Sequence, residues 1–417
     1  MGNKIEMKLK IIIITMLLST ATIMLNAQIS HRGFVRTYLG ALTEQDGEYS
    51  VLQNTFDWRL DYGKGNVALY VNPVFDYNAL DDNLDISLRQ GYMDIYFDNF
   101  DLRIGKQQII WGKADGVFIT DVISPRDLSE FILPDFEEIR IGTNAIKFDY
   151  YLGNSTFEAV WIPTFESTIL PEENSIWAPK MPNFPMPVNY DYTYTEVENK
   201  LSESEIAFKY SYLGSAIDFE LMTAYMWDDN PAMHITPHFS PGIPQPDSLT
   251  IKPEYHRLPL VGASFSKSIL GAVIRGESAY YFGKNFSTEN FGVNGIRERD
   301  YIHYLIGYDH NWFDVNVSFQ FIQEYILDYE DDIRNNEFSN TATFLASKTF
   351  INETLELSLF SYFGINNGDA LIRPKLSYDI SDGFNILFGA NIFVGEEGNF
   401  GQYDENDMLF MKVRYDF

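Results

Sequence analysis

The last nine residues of the chain alternate strictly between two kinds of side chain. The apolar set is Leu409, Met411, Val413, Tyr415 and Phe417, and the intervening set is Phe410, Lys412, Arg414 and Asp416. A period of two indicates a β-strand with one apolar and one polar face. In a closed sheet the last strand pairs with the first and removes both edges. The segment therefore predicts either a closed barrel or the terminal edge strand of a secreted sandwich.

The first 27 residues have the pattern of a secretory signal peptide. Lys4, Lys8 and Lys10 precede a short apolar core at residues 11–18, and Ala27 offers a small residue for cleavage. The apolar run is shorter than the roughly 20 residues that a spanning helix needs. We therefore expect a signal peptide at 1–27 and one mature unit at 28–417. The chain contains no Cys, so disulfides and thiolate metal sites are excluded.

The remaining chain contains about 18 predicted strands, joined by connections that alternate in length. Every second connection is tight and built from residues such as Gly, Asn and Asp. Most of the others are long, and these span 112–138, 164–200, 228–255, 284–299, 329–338 and 395–406. Short periplasmic turns and long extracellular loops are typical of outer-membrane barrels, whereas a Greek-key sandwich has no reason to keep this asymmetry. The predicted fold is therefore all-β, a transmembrane antiparallel up-and-down β-barrel in the cell outer membrane.

Composition and charge agree with this prediction. Hydrophobic residues make up 45% of the chain and aromatic residues 16%, which suits strands with a wet lumenal face and aromatic girdles at both interfaces. The chain holds 30 basic and 59 acidic residues, and the unit without residues 1–27 has a net charge of about −31. Such a chain repels nucleic acid. The expected partners are outer-membrane lipid and, through Tyr415 and Phe417, the barrel-assembly machinery.

Charged residues fall on the strand parity opposite the apolar one. A charge that faces lipid at mid-depth costs roughly 2–4 kcal/mol, so these side chains should face the lumen. Together with charges of connection 112–138 they form the predicted pore lining or constriction, which comprises Arg59, Lys113, Asp115, Arg126, Asp127, Lys147, Arg275, Glu277, Arg373, Lys375, Lys412 and Arg414. Arg36 on the first strand should stand beside Lys412 and Arg414 in a basic ladder. Two roles stay open, a filter that attracts anions and ion pairs that only fill the wall.

Connection 112–138 has too many apolar residues for a solvated loop. These residues are Val117, Phe118, Ile119, Val122, Ile123, Phe131, Ile132 and Leu133. We expect the connection to fold inward and pack against the wall, where it either narrows or plugs the lumen. The proline-rich connection 164–200 should form a second, stiffer lid, with Trp177 and Tyr190 exposed for stacking on sugar rings.

The histidines offer only weak catalytic or metal-binding candidates. His234 and His238 are four residues apart, but the prolines around them forbid the helix that would bring both to one metal. We expect them to be solvated loop residues. His303, paired with Ser278 or Ser318, would be the base of a barrel hydrolase. The sequence therefore predicts no enzyme, no cofactor and no metal site.

Two blocks of the sequence resemble an uncharacterised family of Gram-negative outer-membrane β-barrels. Residues 102–112 read Leu-Arg-Ile-Gly-Lys-Gln-Gln-Ile-Ile-Trp-Gly, and residues 121–127 read Asp-Val-Ile-Ser-Pro-Arg-Asp. They are similar to a strand of that family and the loop that follows it, and residues 273–277 look like a later family strand. The first block is also similar to porins and to alginate-export barrels, and Gln28 after the cleavage site resembles a secreted protein of Bacteroidetes. The resemblance implies transport or a channel and carries over no catalytic residue.

Three functions remain open at this point. The first is a porin-like channel that passes small polar or anionic solutes, or an exported polymer, by passive diffusion. The second is a plugged barrel that acts as a surface binding protein through its long loops. The third, and the least supported, is the barrel hydrolase. The solute is unknown, and a homo-oligomer is one assembly that the barrel could form.

Overall fold

The computed structural model describes residues 29–44, 47–180, 184–193, 196–242, 245–288 and 290–417. An 18-stranded antiparallel sheet dominates it, in which chain neighbours pair and the last strand pairs with the first. The predicted signal peptide at 1–27 and Gln28 lie outside the described residues. The barrel strands are β1 (Ile29–Leu42), β2 (Tyr49–Lys64), β3 (Val67–Asn78), β4 (Asn83–Tyr96), β5 (Phe100–Gln107), β6 (Thr143–Leu152), β7 (Ser155–Ile162), β9 (Glu205–Leu213), β10 (Asp218–Trp227), β13 (Arg257–Ile269), β14 (Ala272–Ser287), β15 (Ile296–Trp312), β16 (Val315–Ile326), β17 (Phe338–Phe350), β18 (Leu355–Gly364), β19 (Asp369–Ser381), β20 (Phe384–Val394) and β21 (Met408–Asp416). The predicted closed barrel of 18 strands is confirmed.

The two faces of the strands divide as predicted. Ile86 and Leu221 are 55% and 52% exposed on the outer face, whereas Asp57 is fully buried inside. In β21, Leu409 is 60% exposed and its neighbour Phe410 is 6% exposed. An apolar outer band around a closed barrel with no free sheet edge is what a bilayer accepts. The protein is therefore an outer-membrane barrel.

The connections are short at one end of the barrel and mostly long at the other. β15 and β16 join through Phe313 and Asp314, whose φ values of 52° and 63° are typical of the two-residue type I′ turn. The start of β1 lies beside the end of β21, because Phe34 pairs with Asp416. Both lie at the end with the tight turns, because Ile29 pairs with Tyr62 just before the turn from β2 to β3. No helix among the described residues is long and apolar enough to cross a membrane, a finding that does not bear on crossing by strands.

One strand ends earlier than the sequence predicts. The pattern places residues 102–111 in a single strand, but β5 ends at Gln107. Beyond it the backbone bonds to the following loop, since the Ile109 amide donates to Ser124 Oγ at 2.9 Å and the Trp111 amide to Asp121 Oδ1 at 3.3 Å. The apolar residues Ile109, Ile110 and Trp111 therefore lie beyond the point where the chain leaves the wall.

A small second sheet forms from two of the long connections. Its strands are β8 (Val188–Tyr190), β11 (Ala232–His238) and β12 (Ser248–Glu254). Ile235, Leu249 and Ile251 form its apolar core, with exposures of 4%, 0% and 3%. The prediction of a solvated loop at 228–255 is therefore wrong for β11 and β12, because their alternating apolar residues bury one face.

The proline-rich connection 164–200 packs on the barrel rim. Trp177 is only 4% exposed and packs against Phe393 and Tyr403. The prediction that Trp177 is exposed is therefore wrong, because the rim offers it an apolar site. Tyr190 is exposed, and its ring stacks on that of Tyr192 with centroids 5.9 Å apart.

Candidate functional site

Residues 108–142, between β5 and β6, form the infolded loop and lie inside the barrel. Apolar contacts hold the loop against the wall on three sides. Ile123 packs on Val160 and Met222, Ile119 packs on Leu305 and Ile322, and Leu133 packs on Leu371 and Phe393. Among the described residues, none of these three clusters contains a residue of β3, β4 or β5. The loop therefore packs against the other walls and leaves the β3–β5 wall uncovered by apolar contact.

The buried carboxylate of Glu277 on β14 anchors one end of the loop. Glu277 is 3% exposed. Its oxygens accept hydrogen bonds from the Lys113 amide at 2.9 Å, the Thr120 amide at 2.6 Å and the Thr120 hydroxyl at 2.7 Å. A buried charge is tolerated only when such donors satisfy it. The donors of the loop therefore replace the hydrogen bonds to water that Glu277 loses on folding.

Neighbouring wall residues hold the same part of the loop. Arg275 donates to the Lys113 carbonyl at 2.5 Å and pairs with Asp115. Gln320 on β16 accepts from the Asp115 amide at 3.0 Å and donates to the Asp115 carbonyl at 2.7 Å. The predicted residues Lys113, Asp115, Arg275 and Glu277 are therefore brought together in one network between the loop and the wall.

The loop turns sharply at Gly116, which has a φ of +77°. A Cβ atom there would lie 2.4 Å from Phe360 Cζ and 2.6 Å from the Tyr362 hydroxyl. The Tyr362 hydroxyl donates to the Gly116 carbonyl at 2.9 Å. Both the backbone conformation and the close approach require glycine at this position.

The other end of the loop is held by cations of β19 and β21. Arg373 donates to the carbonyls of Ile132 at 3.2 Å and Leu133 at 2.5 Å. Asp135 lies between Lys375 Nζ at 3.9 Å and Lys412 Nζ at 3.8 Å.

Asp135 stays charged in this setting. Burial alone would raise its pKa, but the facing ammonium groups of Lys412 and Lys375, with the guanidinium groups of Arg36 and Arg373, lower the pKa below its ordinary value. A lowered pKa keeps the Asp135 carboxylate ionised at neutral pH.

On the uncovered side, a cavity of about 340 Å³ separates the infolded loop from β1–β5. Its lining is strongly charged and includes the cations Arg36, Arg89, Lys106, Arg140 and Lys412 and the acids Asp76, Asp85, Asp127, Glu130 and Glu138. A second cavity of about 400 Å³ shares Gln53, Ser129 and Glu130 with it and extends to Trp177 of the lid. The two cavities together border one side of the barrel and reach the lid.

The loop touches this wall through ion pairs. Arg36 Nη1 lies 2.7 Å from Glu138 Oε1, and Arg59 Nη2 lies 2.9 Å from Glu137 Oε1, with both glutamates in a one-turn helix, Phe136–Ile139. Lys106 lines the cavity and makes no ion pair with any residue that the structure describes. The wall beside the cavity is therefore polar and wettable.

Residues 50–417 match the model of a family described as "Protein of unknown function (DUF1302)". The chain belongs to the DUF1302 family. No curated protein matches it.

Solved structures show the same fold as this DUF1302 barrel. OccK8 (OprE) of Pseudomonas aeruginosa has a TM-score of 0.54 at 9% identity, with 94% of this chain and 98% of that chain covered. OccAB3 of Acinetobacter baumannii has a TM-score of 0.55 at 10% identity, with 94% and 99% covered. OccK2 (OpdF) of Pseudomonas aeruginosa, in complex with glucuronate, has a TM-score of 0.55 at 9% identity, with 94% and 97% covered. The DUF1302 chain thus shares the fold of Gram-negative outer-membrane porins of the Occ type; its relation to alginate-export barrels stays a prediction.

The remaining predicted lumenal residues of the DUF1302 barrel lie in several places. β1 and β21 pair Arg36 with Arg414 and Tyr38 with Lys412, so the ladder positions are neighbours. Four of the predicted cations form ion pairs, which are Arg59 with Asp57 at 2.8 Å, Lys113 with Glu220 at 3.4 Å, Lys147 with Asp149 at 2.5 Å and Arg414 with Asp416 at 2.6 Å. The guanidinium of Arg126 lies 5.2 Å from the centre of the Phe118 ring. Asp127 accepts a hydrogen bond from the Ser129 hydroxyl. Their roles in a pore stay predictions.

Sequence reasoning missed Arg89, Lys106 and Arg140 of the cavity lining. Arg89 lies on β4 and donates to the buried Asp57 at 2.5 Å. Alternation along β4 could have predicted the position of Arg89, because Ile86 lies on the outer face and Ser87 and Arg89, on the other parity, line the cavity. Arg140 has no such signal, because it lies in the infolded loop, where it meets Asp121 at 2.6 Å.

The hydrolase candidates of the DUF1302 chain do not form a catalytic pair. His303 faces Ala279 across the β14–β15 ladder, so the neighbouring Ser278 points to the opposite face of the sheet. Ser318 faces Asp309, further along β15, and its hydroxyl accepts a hydrogen bond from Arg275. The prediction that His303 could pair with Ser278 or Ser318 is therefore wrong, because strand register separates them.

Proposed function

We propose that the protein is a porin-like outer-membrane channel that passes small polar solutes, anions among them, by passive diffusion. The observation that carries this proposal is the asymmetry of the infolded loop. Apolar clusters hold it to the wall on three sides, and charged side chains and a cavity of about 340 Å³ face it on the β1–β5 side. The proposed route runs along that polar side.

The charges along the route support anionic solutes as part of the range. In a chain with a net charge of −29, five cationic side chains face one cavity, where they match the five acidic ones in number. Fixed charges lining a narrow passage select ions by sign. OccK2, which shares the fold, has been solved in complex with glucuronate, so small sugar acids are a reasonable first class of solute to test here.

Conductance in planar bilayers tests the route. Ser87 on β4 lines the cavity, and its neighbour Ile86 faces outward with 55% exposure. We expect Ser87→Trp to lower the single-channel conductance of the refolded protein by blocking the cavity, whereas Ile86→Trp, on the lipid side of the same strand, leaves it unchanged. Equal conductance for the two variants contradicts the proposed route.

A plugged barrel that binds ligands at the cell surface is the second candidate. The apolar seal on three sides and the folded β8–β11–β12 sheet above it favour this function. Deletion of residues 114–135 separates the two candidates. A channel conducts before the deletion and conducts more after it, whereas a plugged barrel conducts only after the deletion. Absence of conductance in both proteins contradicts the channel.

A further inference from the structure

Three potential metal ligands converge in the small extracellular sheet. They are His234 on β11, Glu254 at the end of β12 and His256 just before β13. One donor atom from each lies within 4.8 Å of the other two. His234 Nε2 is 2.8 Å from His256 Nε2 and 3.6 Å from Glu254 Oε2.

Strand register explains why these side chains meet. His234 faces Lys252 across the β11–β12 ladder, and residues two apart on a strand share a face. Lys252 and Glu254 therefore share the face that also carries His234, and His256 follows just beyond the end of β12. His238 lies further along β11 and bonds to Thr250 Oγ1 at 2.7 Å, so it is outside the cluster.

The distances suit a tetrahedral transition-metal ion. Bonds of about 2.0–2.1 Å to imidazole nitrogen and carboxylate oxygen place donors roughly 3.4 Å apart, between the 2.8 Å and 3.6 Å found here. Two imidazoles and one carboxylate favour ions of the zinc class over Ca²⁺ or Mg²⁺, which prefer oxygen ligands. His256 also lines a cavity of about 290 Å³ beside Asp228 and Lys284, which gives water access to the remaining coordination position.

We propose that His234, Glu254 and His256 form a binding site for a divalent transition metal such as Zn²⁺. The ligands come from β11, from β12 and from the link between β12 and the barrel strand β13. The backbone carbonyl of His256 already accepts a hydrogen bond from the Asp228 amide at the end of β10, at 2.8 Å. A bound ion therefore ties the extracellular sheet to the rim of the barrel. The proposal does not depend on the channel function.

Zinc titration of the untagged, refolded full chain tests the site. After dialysis against a chelator, calorimetry with ZnCl₂ should show one bound ion per chain for the unmodified protein. His234→Ala and His256→Ala should each weaken binding by at least about tenfold. The matched control is His238→Ala, on the same strand but outside the cluster, which should bind as the unmodified protein does. Absence of binding by the unmodified protein, or equal binding by all three variants, overturns the proposal.

A spectroscopic measurement keeps the test decisive even if a variant fails to fold. Co²⁺ in a tetrahedral site with nitrogen ligands gives intense visible absorption, so the unmodified barrel should develop this band at one equivalent and lose it when Zn²⁺ is added. A spectrum identical to that of aqueous Co²⁺ overturns the site. Hydrogen exchange at β11 and β12 should slow when Zn²⁺ binds, and unchanged exchange in the zinc-loaded protein overturns the tethering role.

Discussion

At the scale of single residues, buried lumenal charges are tied to the loop that crosses the barrel. Glu277 and Arg373 are 3% and 7% exposed and bond to backbone groups of the infolded loop. Removing one partner from such a contact leaves the other buried and unsatisfied, which costs more than the contact itself contributes. These side chains therefore fix where the loop lies.

Glu277→Gln should loosen one anchor of the loop. The two carboxylate oxygens of Glu277 accept hydrogen bonds from Lys113 and Thr120. A glutamine keeps only one acceptor oxygen, and its NH₂ group is itself a donor, so it repels the N–H or O–H group that the second oxygen bound. We expect a local destabilisation of about 1–3 kcal/mol, seen as faster amide hydrogen exchange in residues 112–121.

The control for this change is Glu298→Gln. Glu298 is exposed on β15, so this variant makes the same change in charge and size without touching the loop. If both variants exchange at the same rate as the unmodified protein, Glu277 does not anchor the loop.

At the scale of elements, the infolded loop brings a negative charge to the cations of the wall. Asp135 faces the ammonium groups of Lys375 and Lys412 at 3.9 Å and 3.8 Å. Because these cations lower the pKa of Asp135, its contribution to folding is present above the pKa of an unfolded Asp. That contribution is lost only as pH falls through the lower folded pKa.

If the protein is the proposed channel, Asp135→Asn should therefore shift its ion selectivity toward anions at neutral pH. The substitution removes a negative charge beside two lysines that line the lumen. The difference in reversal potential between the variant and the unmodified protein, measured in a salt gradient, should persist as pH falls to about 4 and vanish only below it.

Asp382→Asn in a tight turn between β19 and β20 is the control, because it removes the same charge far from the loop. A difference that is already half lost at or above about pH 4 would show that the pKa of Asp135 is not lowered.

At the scale of the whole molecule, the barrel is complete only when β21 pairs with β1. The amide and carbonyl of Phe417 each bond to Gly33 at 3.0 Å, and the Phe417 ring stacks on Phe56 with centroids 5.8 Å apart. These contacts extend the closing pair to the terminal residue.

Deleting Phe417 should reduce assembly several-fold, because it removes both backbone bonds and the terminal aromatic ring. The measurement is the yield of heat-modifiable barrel in outer-membrane fractions. Phe417→Tyr keeps the backbone and the ring and should assemble normally. Normal yield of the truncated chain contradicts a role for Phe417 in assembly.

The sequence alone was enough to predict the barrel, because its signals are local. Apolar and polar residues two positions apart define the faces of a strand, and Gly, Asn and Asp in tight turns set where strands reverse. The outward face of β21 and the lumenal face of β14 follow from this alternation. The membrane location follows as well, because a closed sheet with an apolar outer face needs lipid.

Contacts across the lumen and between loops were decided only by the tertiary structure. Arg36 meets Glu138, 102 residues away, and Arg373 meets Leu133, 240 residues away. Neither contact has a periodic signal, since each depends on the path of the infolded loop. Burial of Trp177 and the meeting of His234 with His256 depend in the same way on how the long connections fold over the rim. Period-two alternation determines which face a side chain occupies, whereas its partner depends on which distant segment the closed barrel brings to that face.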